Sequence, residues 1–267
     1  MPQIASKQTG SKELKTEKPP PDIGCRLRVG TSGYSYPEWV EAGFYPPHTP
    51  ADRMLAVYAG VFSITELNYT WYQMPSAPAV ERMCRKAPAD FRFTANLTRT
   101  LTHELDMDTW RSHAGRYRDG IAPLLQLRQL EAILVQFPPG FDRTIRNRRY
   151  LAELLDELSG LPVAVEFRSA SWAEERVFAE LERRRVTLVT VDSPSLPGLF
   201  PRIEAVTNPD LIYIRFHGRN ARGWRSGNMQ SQFDYDYSDA ELREWADGSL
   251  PAMTRSARQG VIFFNNH

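Results

Sequence analysis

The sequence predicts an α/β fold, a (β/α)8 barrel, and two observations support this prediction. First, eight short apolar or β-branched runs follow one another along the 267 residues, at 27–31, 64–67, 91–95, 132–137, 163–167, 187–191, 211–216 and 261–264. Second, amphipathic stretches separate most of these runs, and strands that alternate with helices pair in parallel through right-handed crossovers. A doubly wound open sheet is the alternative, but no GxGxxG or GxxxxGK[ST] motif follows the first run.

Local signals mark the predicted helices, which cover residues 52–61, 77–85, 110–128, 147–158, 174–185 and 238–246. Ser76 precedes an Ala-Pro pair, which suits an N-cap followed by proline in the first turn. Residues 238–241, Ser-Asp-Ala-Glu, form a capping box. The chain reaches His267 directly after the eighth run. The final helix of the barrel is therefore missing from the sequence, and we expect either a barrel with one open flank or a truncated product.

The first 24 residues differ in composition from the rest of the chain. They contain four of the five lysines, end in a run of three prolines near residue 21, and hold few apolar residues. Such a segment cannot bury a core, so we expect a disordered leader over 1–24 and a single barrel domain over 25–267. The leader has no apolar stretch of the kind found in secretory signals, which favours a cytoplasmic protein.

Composition excludes several classes of function. Lys and Arg number 33 against 32 Asp and Glu, for a net charge of +1, and mean hydropathy is -0.46. This balance argues against a general nucleic-acid binder, although a local basic patch stays open. No apolar run approaches the ~18 residues of a membrane span, so no membrane partner is expected. The two cysteines lie outside any CxxC pair, and a zinc site is not indicated.

Polar side chains stand at the C-terminal end of nearly every predicted strand, which is the face where barrels of this type place their active sites. Alternation with period two sets residues of one strand on a shared face. We expect Glu66 and Glu166 to act as acid–base residues, with Asp192 and a protonatable His217 tuning or orienting them. The expected substrate-binding set is Asn68, Gln136, Arg168, Arg215, Arg219, Trp224, Asn265 and Asn266.

The arginines of this set suit an anionic substrate, either a phosphate ester or a sugar derivative. The loop at 218–227 adds three arginines, three glycines and Trp224, and loops at this position often bind phosphate. A solvated loop and a purely structural ion-pair network are the alternatives. The carboxylates and His217 are also ligand types for a divalent metal, but no ligand spacing supports one and the arginines compete, so the cofactor stays unknown.

Aromatic residues crowd the first two strand–helix loops, and they either line a cleft or form a lid over the rim. They are Tyr34, Tyr36, Trp39, Phe44, Tyr45, Tyr69, Trp71 and Tyr72. His103, in the long segment after the third run, is able to reach the same end of the barrel.

Seven motifs in order from residue 28 to 267 resemble the DUF72 (YecE-like) family. They are GTSGYSYPEW at 30–39, ELNYTWY at 66–72, QFPP at 136–139, AVEFR at 164–168 with Ser171-Trp172, RFHGRN at 215–220, YDYS at 235–238 and FNN at 264–266. The resemblance implies a TIM barrel of unknown reaction. It also implies a lysine where this chain has Asn96, which excludes a Schiff base at that position. Relatives continue past FNN into a final helix.

Three functions therefore stay open. The first is an enzyme, a hydrolase or isomerase by site composition, acting on a small anionic substrate. The second is a non-catalytic protein that binds a nucleotide or nucleic acid, which the neutral net charge does not favour. The third is a degenerate barrel kept as a scaffold, as Asn96 suggests. The sequence leaves the oligomeric state open.

Overall fold

The computed structural model describes residues 24–266, apart from the side chain of Met229. The expected disordered leader falls almost wholly on residues 1–23, which lie outside this described range. Within it, eight parallel strands form one sheet in the order β1-β8-β7-β6-β5-β4-β3-β2. The strands are β1 (Arg26–Thr31), β2 (Ile64–Leu67), β3 (Arg92–Asn96), β4 (Leu130–Gln136), β5 (Val163–Glu166), β6 (Thr187–Asp192), β7 (Leu211–Phe216) and β8 (Gln259–Phe264).

The predicted barrel is confirmed, and the predicted strand limits agree with the observed ones to within about two residues. Strands β1 and β2 are the two ends of the sheet order, and they meet through a single bridge between Ser32 and Glu66. The Gly33 amide donates to the Glu66 carbonyl at 2.8 Å across this seam. The sheet is therefore nearly closed, with its weakest pairing between β1 and β2.

Helices surround the sheet. They are α1 (Glu38–Glu41), α2 (Ala51–Tyr58), α3 (Tyr69–Tyr72), α4 (Ala77–Cys84), α5 (Trp110–Gln126), α6 (Ile145–Glu157), α7 (Glu175–Arg184), α8 (Ala221–Ser226), α9 (Met229–Phe233), α10 (Asp239–Arg243) and α11 (Leu250–Arg255). In the described part of the chain, residues 193–210 connect β6 to β7 without a helix. None of the described helices is both long and apolar enough to cross a bilayer.

The two helix N-caps expected from the sequence differ in whether their side chains form capping hydrogen bonds. The capping box at Ser238 is confirmed, since Ser238 accepts from the Glu241 amide and Glu241 accepts from the Ser238 amide. Ser76 takes the N-cap position of α4 with proline in the first turn, but its side chain makes no capping hydrogen bond.

Apolar side chains fill the barrel interior below the strand ends. This inner cluster consists of Ile64, Ala132, Leu134, Ala164, Val189, Val191, Leu211, Tyr213, Val261 and Phe263, all buried. A larger cluster packs the outer face of β2 to β6 against the surrounding helices, and a third covers β7 and β8. Polar side chains at the strand ends therefore lie directly above an apolar interior, where charges must be paired.

We expect Gly30→Ala to destabilise the barrel seam. A Cβ at Gly30 would lie 2.2 Å from the Ile64 carbonyl oxygen, which is backbone and moves only with β2. The cost of such overpacking is about 1–3 kcal/mol in the free energy of unfolding, measured by urea denaturation. Gly115→Ala is the matched control, because its Cβ meets nothing within 4 Å inside α5, and it should stabilise by up to about 1 kcal/mol. Equal midpoints for the two variants would contradict this account.

Candidate active site at the barrel mouth

A single guanidinium on the barrel axis joins two buried carboxylates. Arg215 of β7 donates from Nη2 to Oε1 of Glu66 at 2.6 Å and from Nη1 to Oε2 of Glu166 at 2.7 Å. Both glutamates are 0% exposed, and Arg215 is 2% exposed. The period-two pattern explains the meeting, since each of these residues points inward from the C-terminal end of its strand.

The remaining carboxylate oxygens also have partners. Glu66 accepts from the Ser32 hydroxyl at 2.6 Å and from the Tyr213 hydroxyl at 2.6 Å. Glu166 Oε1 forms an ion pair with Nε of Arg168 at 2.6 Å. Two guanidiniums thus balance two carboxylates, which is the condition under which such charges tolerate burial. We call Glu66, Glu166, Arg168 and Arg215 the axial ion cluster.

The arginines keep Glu166 ionised. Burial of this carboxylate acts to raise its pKa, but the charges of Arg168 and Arg215 outweigh burial and hold the pKa well below the usual 4.5. Glu166 therefore carries its negative charge throughout the physiological pH range.

His217 belongs to the same cluster as a neutral group. Its Nε2 lies 3.2 Å from Glu166 Oε1 and 3.1 Å from Arg168 Nη2, while its Nδ1 lies 2.9 Å from the Asn265 amide nitrogen. Burial and then the charge of Arg168 lower the pKa of His217 from 6.5 to about 3. The expectation of a readily protonated His217 is therefore wrong, because desolvation outweighs its neighbouring carboxylate.

Asp192 and Arg219 lie apart from the axial ion cluster. Val189 and Val191 point into the barrel, so Asp192 faces outward from β6. Its carboxylate accepts from Arg219 Nη2 at 2.7 Å, from the Tyr237 hydroxyl at 2.8 Å and from Trp245 Nε1 at 2.7 Å. These contacts lower the pKa of Asp192 despite its burial. The structure thus assigns this pair to anchoring the segment after β7, away from the two glutamates.

The other predicted binding residues lie around the mouth. Gln136 Oε1 accepts from Arg215 Nη1 at 3.1 Å, and the Trp224 ring lies 5.2 Å from the Arg168 guanidinium. Asn68 Oδ1 accepts from Asn96 Nδ2 at 3.1 Å. The amide of Asn266 donates to the Tyr235 carbonyl at 2.7 Å.

Two clefts open at this end of the barrel. The first, of about 560 Å³, is lined by Arg168, His103, Gln136, Trp224 and Arg225 among others, and we call it the arginine cleft. The second, of about 650 Å³, is lined by Tyr36, Trp39, Tyr72, Glu38, Asn265 and Asn266 among others, and we call it the aromatic cleft. Phe233 of α9 lines both.

The aromatic residues of the first two loops divide between cleft and core. Tyr36, Trp39 and Tyr72 line the aromatic cleft, whereas Tyr45 is buried in the outer core. His103 reaches the arginine cleft. Tyr213 and Phe233 are not among the site residues predicted from sequence. Tyr213 stands two residues before Arg215 on the same inward face, a spacing that points to it, whereas the sequence offers no signal for Phe233.

Residues 24–266 contain no group of three or more His, Cys, Asp or Glu side chains arranged to hold a metal ion. The carboxylates considered as metal ligands from sequence are instead paired with arginines.

Comparison with known proteins agrees with this architecture. The model of the family described as "Protein of unknown function DUF72" matches residues 28–267. The chain belongs to the DUF72 family. A DUF72 family protein from Thermotoga maritima has a solved structure that is 35% identical, with a TM-score of 0.80 over 90% of this chain and 92% of that one.

Other DUF72 relatives are more distant in sequence. A DUF72 family protein from Enterococcus faecalis is 26% identical, with a TM-score of 0.80 over 90% of this chain and 89% of that one. The UPF0759 protein YunF of Bacillus subtilis is 26% identical over 84% of each chain. YecE of Escherichia coli, also a UPF0759 protein, is 26% identical over 67% of this chain and 64% of its own. The relatives share the fold and the family, but the family description specifies no reaction.

Arg215→Met should destabilise the protein strongly, because it leaves two buried carboxylates facing each other without Arg215. Breaking a buried ion pair by removing one partner costs about 3–5 kcal/mol in the free energy of unfolding. Arg222→Met, at an exposed position in α8, is the matched control and should change stability by less than about 0.5 kcal/mol. Urea denaturation of both variants measures the difference, and similar losses would refute the bridging role.

Acid should weaken the fold through His217. The unfolded chain binds a proton near pH 6.5, whereas the native imidazole binds one only near pH 3, so stability falls as the pH falls through this window. We expect this residue to contribute a slope of about 1 kcal/mol per pH unit between pH 6 and 5.

Urea denaturation at several pH values should therefore give a shallower slope for His217→Gln than for the wild type. His48→Asn is the control, because His48 is exposed and has a positive φ of 62° that asparagine tolerates. An unchanged slope in His217→Gln would show that this imidazole is not the source of the pH dependence of stability.

Proposed function

We propose that the protein is an enzyme that acts on a small anionic substrate, carrying a phosphate or a sugar, at the C-terminal face of the barrel. The observation that carries this proposal is the position of Arg168, whose guanidinium is held by Glu166 and lines the arginine cleft. A guanidinium fixed in advance binds an anion without reorganisation, which is how enzymes stabilise charge that develops in a transition state. Trp224 covers one side of it at 5.2 Å.

In this proposal the two glutamates orient the arginines. Each carboxylate already accepts hydrogen bonds from several buried donors, and the pKa of Glu166 lies well below its usual range. A general base works best when its pKa lies near the operating pH, so Glu166 is poorly matched to that task. The acid–base roles predicted for Glu66 and Glu166 from the sequence stay predictions.

We assign proton transfer to His103 instead. It is an exposed residue in the wall of the arginine cleft, and desolvation by its neighbours together with the charge of Arg168 lowers its pKa from 6.5, so the imidazole is neutral at pH 7. Two groups face Nδ1 of His103: the Thr102 hydroxyl lies 2.8 Å away, and Trp71 Nε1 donates at 3.4 Å. To act as a base through Nε2, the imidazole has to carry its proton on Nδ1 and donate it to Thr102, so the longer bond from Trp71 is given up.

Turnover of a panel of sugar phosphates, phosphate monoesters and phosphodiesters tests the proposal. We expect His103→Gln to lower kcat by about 100-fold or more, the usual contribution of a general base, while its urea midpoint stays close to that of the wild type. The acid limb of the pH profile of kcat/KM, with an apparent pKa below 6.5, should disappear in this variant. His48→Asn should leave rate and profile unchanged.

A normal pH profile in His103→Gln, together with loss of turnover in Glu166→Gln at unchanged stability, would return the acid–base role to the glutamate. Binding of panel members without any turnover would favour the non-catalytic alternative, a nucleotide or nucleic-acid binder. Its affinity should then fall steeply with salt concentration.

A further inference from the structure

The two clefts adjoin at Phe233. This residue lines both of them, and its ring packs on that of His217, with the ring centroids 5.5 Å apart. Arg168 of the arginine cleft lies 3.1 Å from Nε2 of His217, and Asn265 of the aromatic cleft lies 2.9 Å from its Nδ1. One imidazole ring therefore separates the two floors, and a single small molecule can reach both.

The arginine cleft presents hydrogen-bond donors. Arg168 and Arg225 both line it. Nε1 of Trp224 is buried and has no hydrogen-bond partner among residues 24–266. Gln136 has its oxygen occupied by Arg215 Nη1, so its amide nitrogen is the group left to bind a ligand. The complementary ligand group is negatively charged and accepts hydrogen bonds, as phosphate and carboxylate do.

The aromatic cleft presents acceptors and flat apolar faces. The Asn266 amide nitrogen donates to the Tyr235 carbonyl at 2.7 Å, which fixes the orientation of the side chain. Its Oδ1 is buried and lacks a donor within the described part of the chain, a state that costs free energy until a ligand supplies one. Tyr36 and Tyr72 line this cleft, and Tyr72 is 61% exposed.

Charge sets the direction in which a ligand lies. Glu38 is the charged side chain that lines the aromatic cleft, whereas Arg168 and Arg225 line the arginine cleft. An anionic group is repelled by the first and attracted by the second. Hydroxyl groups donate to Asn266 and Glu38, and the C–H faces of a sugar ring pack on tyrosine rings.

We propose that one substrate spans both clefts by passing over Phe233, with its phosphate in the arginine cleft and its sugar ring in the aromatic cleft. The substrate class is therefore a sugar phosphate. This inference rests on the proposed function and names the substrate of the same site.

Isothermal titration calorimetry with inorganic phosphate, methyl glucoside and a panel of pentose and hexose phosphates tests it on the full chain. At least one sugar phosphate should bind about tenfold or more tightly than inorganic phosphate, since the sugar ring buries apolar C–H surface on the tyrosine rings and tenfold corresponds to about 1.4 kcal/mol.

Two exposed positions separate the contributions of the clefts. Arg225→Gln should weaken inorganic phosphate and the sugar phosphate alike, by about fivefold, whereas Arg222→Gln on the same helix should weaken neither. Tyr72→Ala should bring the sugar phosphate down to the affinity of inorganic phosphate and leave inorganic phosphate itself unchanged. Tyr72→Phe, which keeps the ring, should retain most of the affinity.

The inference is overturned if no panel member binds, if sugar phosphates bind no more tightly than phosphate, or if Tyr72→Ala weakens both probes equally. Binding is measured without reference to turnover, so the two proposals fail separately. If sugar phosphates bind as expected but are not turned over, the proposal of an enzyme is wrong and that of a sugar phosphate ligand stands. If there is turnover but Tyr72→Ala leaves the affinity unchanged, only the proposal of a sugar phosphate is wrong.

Discussion

Arg215 is the constraint on which the barrel mouth depends. Its guanidinium neutralises two fully buried carboxylates from β2 and β5, and it stands above an apolar interior that offers no solvent to either charge. Ser32 and Tyr213 bind to the same Glu66, so the cluster ties β1, β2, β5 and β7 together at one level. Since the β1–β2 seam has only one backbone bridge, these side-chain bonds contribute a large part of its closure.

The alternation of side chains along a strand allowed much of this cluster to be predicted from sequence. Glu66, Glu166 and Arg215 follow apolar residues two positions earlier that fill the interior, and the prediction that they meet is borne out by the geometry. The same argument failed for Asp192, because the residues of β6 that fill the barrel interior are Val189 and Val191, so Asp192 lies on the opposite face of the strand.

The clefts could be derived only in part from strand patterns, because the strand ends supply part of their walls and the connections supply the rest. His103 lies after the short helical turn Arg99–Leu101, and Phe233 ends α9, a five-residue helix that follows a glycine with φ of 71°. The arginine-rich loop after β7 was expected to offer Arg219 to a ligand, and that role stays a prediction. In the structure the Arg219 guanidinium forms a bidentate pair with the buried carboxylate of Asp192, a pairing that no strand pattern indicates.

The Asp192 carboxylate restrains the segment that follows β7. Asp192 binds Arg219 at the start of the segment that crosses the mouth and Tyr237 at its end. One side chain therefore holds both ends of this segment, and Phe233 lies between them. A segment held at both ends cannot rotate away about one end, and only its middle part can move. Because the Phe233 ring packs on that of His217, a molecule that spans the two clefts lies over this segment, whose two ends Asp192 holds in place.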